Sequence, residues 1–199
     1  MMKNPKKYGP ALLCAVHHKK ETVRLSAIEV LWKIKLKQGI PHIISALKDK
    51  SWLVQLTAAE TIRDIGPKAK KAIPILLKML NARDAHNVLV KESVLSALLA
   101  LNTNSSILLP RIIRILGSKS IKAPKHGMSK ERIKEHDKLR SIALMSILSI
   151  VSKKTPRPEL TRLQTQLQTL YQHEKALKHK FEAVLWLVKK RLKEKKNSS

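Results

Sequence analysis

The chain is poor in several residue types, and each shortage excludes something. It holds one cysteine, Cys14, so no internal disulfide can form and a reducing, intracellular setting is expected. Five Gly and nine Pro in 199 residues are too few for a collagen-like or low-complexity chain. Aromatic residues make up only 3%, so the 43% hydrophobic fraction must build its core from Leu, Ile, Val and Ala. Acidic residues are scarce: 14 Asp and Glu against 41 Lys and Arg leave a formal charge of +27. That excess repels itself and favours polyanionic partners: nucleic acid, an anionic membrane surface or an acidic protein. Long apolar runs are also missing. The longest, Ile142 to Val151, is broken by serines and too short to span a bilayer. The run ALLCAV near the start is too short for a secretory signal and meets HHKK. A soluble, cytoplasmic protein with no integral membrane segment is expected. No Gly-rich phosphate loop and no Ser-nucleophile elbow occur.

What is present is a repeat. Pro10, Pro41, Pro74, Pro110 and Pro158 each open an apolar run, and the first spacings are 31, 33 and 36 residues. Periods near these values belong to helical solenoids. Proline suits the first turn of a helix, where its missing N–H has no intrahelical partner. After the first four of these prolines, the second, third and sixth residues are apolar, as in Ile43, Ile44 and Leu47 or Ile112, Ile113 and Leu116. A second stripe follows each run: Val23–Ile34, Val54–Ile65, Val90–Leu101, Leu139–Ile150 and Leu177–Val188. These segments align without gaps. Apolar columns run through Val54, Ile62 and Ile65 and their counterparts, which is one face of an amphipathic helix. A small column, Ala27, Ala58, Val94 and Ala143, permits close stacking and ends in Phe181, as a terminal capping repeat would.

The pattern resembles the HEAT-repeat family, in particular the short HEAT-like repeats of the phycobilisome-lyase-like type. Asp49 to Gly66 reads D-x-S-x-x-V-x-x-x-A-A-E-x-I-x-x-I-G, followed by A-I-P-I-L-L at Ala72–Leu77. The resemblance covers nearly the whole chain and implies an all-α fold. It implies a short right-handed α-solenoid of about five helix pairs, with the stripe segments as convex first helices and the proline-opened ones as concave second helices. HEAT folds serve mostly as binding scaffolds. Three regions are expected: a basic arm at 1–9, the repeats at 10–188, and a basic tail at 189–199 that starts as helix. Residues 117–137 interrupt the period as a basic insertion that turns helical near Ser129.

Basic charge is the strongest functional signal. The residue four after each proline is Cys14, Ser45, Lys78, Arg114 and Arg162, three of them cationic and all on expected concave helices. Lys48, Arg111 and Lys119 would extend that patch. Lys122 and Lys125 of the insertion, and Lys189, Lys190 and Arg191 of the tail, would add affinity for phosphates. The competing reading is a solvated polar face. The expected function is a non-catalytic scaffold for a polyanion such as nucleic acid. The alternatives are an adaptor for an acidic protein and a HEAT-like DNA glycosylase or lyase-type enzyme. A second basic column, Arg24, Gln55, Lys91, Arg140 and Lys178, reads as structural: Glu21–Arg24 and Asp137–Arg140 can pair at i,i+3. The resemblance implies an inter-repeat hydrogen-bonding Arg at this position. A glycosylase reading would rest on Asp64 beside Trp32, but Leu99 and Leu148 share the Trp32 column and argue for packing. No metal or cofactor is expected. His17–His18 lacks spaced carboxylates, His173–Glu174 is a single pair, and Cys14 is expected to be buried.

Overall fold

The computed structural model describes residues 5–81, 88–117, 130–151, 155–172 and 177–196, and every element among them is helical. The chain divides into two compact units, Met1–Asn102 and Thr103–Ser199.

In the first unit, helices α1 (Pro5–Ala15), α2 (Glu21–Lys33), α3 (Gly39–Ala46), α4 (Trp52–Ile65), α5 (Ile73–Asn81) and α6 (Val88–Ala100) follow one another, with a 3-10 segment at Gly66–Ala72. The stripe helices stack: α4 packs on α2 on one side and on α6 on the other. Ala58 and Ala59, fully buried, allow that double contact, because a methyl group leaves room for a neighbouring backbone. Val54, Ile62 and Ile65 are buried with them, as the columns require. The proline-opened helix α3 packs on α2 and α4, and α5 on α6. Ser51 caps α4 by accepting a hydrogen bond from the Leu53 amide. Gly66 ends that helix at φ 64° and ψ −144°, a conformation open to glycine alone.

The second unit holds α7 (Ser105–Gly117), α8 (Lys130–Ile150), α9 (Arg157–Tyr171) and α10 (Lys178–Lys196). Helix α7 packs on α8 and α9, and α10 packs on the same two. Phe181, the bulky end of the small column, is fully buried beside the Tyr171 ring.

The register holds with two shifts. Pro41, Pro74 and Pro158 lie in the first turns of α3, α5 and α9, but Pro10 and Pro110 lie inside α1 and α7. Helix α1 starts at Pro5, within the expected arm. Helix α7 starts at Ser105, where the Asn104 side chain accepts from the Ser106 amide and Leu108 and Leu109 are buried. The expected helical start near Ser129 agrees with α8 beginning at Lys130, and the tail is helical through Lys196.

Cys14 departs from expectation: it is exposed. Helix α1 packs on α2; Gly9 in α1 and Val16 just past its end are buried, and Cys14 falls on the side away from them.

Candidate polyanion-binding surface

The two cationic columns have different fates. Arg24, at the start of α2, is 5% exposed. Its Nε and Nη2 donate to the two Asp49 carboxylate oxygens at 2.7 and 2.8 Å, and Nη1 donates to the His18 and Lys19 carbonyls at 2.9 and 3.0 Å. Gln55, its counterpart in α4, donates to the Asp49 carbonyl at 2.6 Å. Arg140 in α8 is 1% exposed and donates twice to the Leu116 carbonyl, at 3.2 and 2.9 Å, with Asp137 at 3.8 Å. These three side chains therefore do the same work, filling backbone acceptors left at the end of the preceding helix or turn. Asp49 bridges further, accepting from the Ser51 amide. Burial pushes its carboxyl pKa up. The hydrogen bonds from Arg24 and Ser51 and the charges of Arg24 and Lys50 outweigh that and hold it below the usual value.

The other column faces outward. Cys14, Ser45, Lys78, Arg114 and Arg162 are exposed in all five second helices. Lys48 is exposed just past α3. Arg111 is half-buried, and its guanidinium donates to the Ile107 carbonyl one turn back in α7. In the second unit, Arg162 stands at the edge of an open groove of about 570 Å³ between α7 and α9. Leu109, Pro110, Pro156, Pro158 and Leu163 line it, and Glu159 sits inside, accepting from the Ser106 hydroxyl at 3.0 Å. In the tail, Lys189 and Lys190 are exposed, whereas Arg191 is half-buried and bonds Glu194 at 2.7 Å. Lys119, Lys122 and Lys125 lie outside the described residues, as does His173–Glu174.

The features weighed for catalysis and metal binding are arranged as follows. Asp64 is exposed and paired with its neighbour Arg63 at 3.0 Å. Trp32 is half-buried, in keeping with packing, but its column mate Trp186 is 62% exposed. His17 Nε2 and His42 Nδ1 meet at 3.2 Å on the surface. Among the described residues, no group of three or more His, Cys, Asp or Glu is placed to hold a metal ion. No helix among them is long and apolar enough to cross a membrane.

Helices stacked in sequence order, with a repeating buried column and a repeating capping donor, are the mark of a helical repeat. The HEAT repeats family matches residues 9–99, within the first unit. The first unit is thus similar to HEAT repeats. A chain in the structure of the complex of CpcE and CpcF of phycocyanin lyase from Nostoc sp. PCC7120 is similar over 96% of this chain and 97% of that one. Its TM-score is 0.50 at 14% identity. At that identity the likeness speaks for the fold alone, an all-α one. No curated protein matches the sequence.

Proposed function

We propose that this protein is a non-catalytic HEAT-repeat scaffold that binds a polyanion, with nucleic acid the first candidate. One observation carries the reading: the outward column is cationic in α5, α7 and α9, at Lys78, Arg114 and Arg162. The arginines that the fold needs, Arg24 and Arg140, are a different set and are buried. The net charge is +27 and these cations are exposed, so a phosphate backbone would gain counterion release on binding them. Contacts of this kind position a ligand without reading its sequence, so weak sequence preference is expected.

The test is a salt titration of binding to random-sequence duplex DNA and RNA. Affinity should fall steeply between low and physiological salt, and Arg114→Glu with Arg162→Glu should shallow the slope by about 0.9 per lost phosphate contact on duplex DNA. No binding at low salt would overturn the reading.

A second reading, an adaptor for an acidic protein segment, draws on the proline-lined groove with Arg162 at its edge. It is also in keeping with the complex that the Nostoc protein forms with its partner. Under that reading, Arg162→Glu would abolish binding to an acidic peptide and leave oligonucleotide binding unchanged.

A further inference from the structure

Helix α10 presents two unlike faces. Phe181, Val184, Leu185 and Val188 are buried on one, toward α8 and α9. The opposite face carries Trp186 with Lys189, Lys190 and Lys193 at the third, fourth and seventh positions after it, all exposed. Those spacings place the four side chains on one stripe. Trp186 is 62% exposed. The repeat does not dictate this, because Trp32 in the same column is half-buried. Leaving a large indole in water forgoes burial free energy, so the fold gains nothing from Trp at this position.

Three further features surround the ring. Lys190 Nζ lies 5.1 Å from its centroid, within cation–π range. Beside it, an open groove of about 610 Å³ runs between α10 and α9, lined by Leu192, Lys189, Lys193 and Glu194, the last bonded to Arg191, together with Gln164 of α9. The Gln164 amide supplies both a donor and an acceptor to the groove.

We infer that this face of α10 is a stacking platform for an unpaired base, so that the protein prefers single-stranded over duplex nucleic acid. The inference rests on the polyanion reading above and narrows it. A base laid on the Trp186 ring would leave its flanking phosphates among Lys189, Lys190 and Lys193. Every base has a π-face, so the platform tolerates any sequence. A duplex keeps its bases stacked on each other and cannot use the ring, so it meets only the lysines. A lipid surface fits less well. An interfacial helix sinks a broad apolar face into the headgroup boundary, whereas this face offers one aromatic ring among three lysines, with Glu182 also exposed one turn before it.

The experiment uses the full chain with fluorescently labelled oligo(dT), a mixed-sequence duplex, anionic phospholipid vesicles and polyglutamate. Variants are Trp186→Ala, Trp186→Phe and the pair Lys189→Glu with Lys193→Glu, each checked for an unchanged melting curve. Trp186→Ala should weaken oligo(dT) binding at least fivefold, the fold-change for ~1 kcal/mol of base–aromatic stacking. It should leave duplex binding within twofold. Trp186→Phe should retain most of the affinity, and the lysine reversals should weaken both ligands. If Trp186→Ala changes neither ligand, or both alike, while the lysine reversals still weaken binding, the platform is overturned and the polyanion reading stands. If neither nucleic acid binds at low salt, both fall. Trp186-dependent binding to vesicles or to polyglutamate, with oligo(dT) indifferent to Trp186, would also overturn the platform.

Discussion

The Arg24–Asp49 pair gives the sharpest test of how the first unit is held together. Replacing Asp49 with Asn removes the charge while keeping size and one carbonyl oxygen. Arg24 is 5% exposed, so its guanidinium would stay buried without a counterion. Breaking a fully buried pair from one side costs about 3–5 kcal/mol. Here the Asp49 side chain keeps 12% of its exposure, and the His18 and Lys19 carbonyls still accept from Arg24, so the expected loss is ~2–4 kcal/mol. That is a large part of a typical domain's ~5–15 kcal/mol. Urea unfolding of the full chain by circular dichroism, with hydrogen exchange at α2 and α4 amides, would measure it. The pH dependence has a definite sign. The Asp49 carboxyl sits below its ordinary value of 3.8 in the folded protein. Its contribution is therefore complete above that value and is lost as pH falls through the lower folded one. The gap between the native protein and Asp49→Asn should be full at neutral pH and shrink below about pH 4. The gap is the right quantity, because acid weakens both proteins through their shared positive charge. A loss under ~0.5 kcal/mol at neutral pH, typical of an exposed pair, would refute the argument. So would a gap that stays constant into acid.

Three further outcomes are expected. Gly66→Ala should cost ~1–3 kcal/mol in thermal unfolding through backbone strain alone, since an added Cβ would meet nothing within 4 Å. Gly66→Asn should cost as much, because ψ −144° lies outside the left-handed helical region that Asn tolerates. Arg140→Met should destabilise the second unit by ~1–3 kcal/mol, read as faster hydrogen exchange in α7 and α8, because it removes both donors to the Leu116 carbonyl.

Much of the fold is legible in the sequence because burial repeats with the helical period. Val54, Ile62 and Ile65 and nearly all their counterparts are buried where the columns place them. The helix starts are less legible. A proline marks a first turn well, but Ser105 to Leu109 precedes Pro110 and was free to be loop or helix. The Asn104 cap and the burial of Leu108 and Leu109 decide it. Cys14 is misread for a related reason: it sits among apolar neighbours, and exposure depends on which side of α1 meets α2. The outward column at Lys78, Arg114 and Arg162 is legible as a surface, but its ligand is not, since exposure and charge do not choose among anions.

Two cationic columns share the repeat period and differ in burial. Composition gives no help, because both mix Arg and Lys with neutral residues. Local pairing misleads: Glu21 stands three residues before Arg24, but the bidentate partner is Asp49, 25 residues away. What separates the columns is what each side chain reaches. Arg24 and Gln55, in the first turn of a stripe helix, and Arg140, well inside α8, all reach carbonyls at or just past the end of the preceding helix. Unpaired carbonyls there carry the negative end of that helix's dipole, and a donor within reach is drawn in and buried. Lys78, Arg114 and Arg162 are instead exposed on their own helices, the first two of them in the last turn. A cationic column in a helical repeat thus reads as structural when its side chains are buried against the carbonyls of a preceding helix end, and as part of the surface when they are exposed.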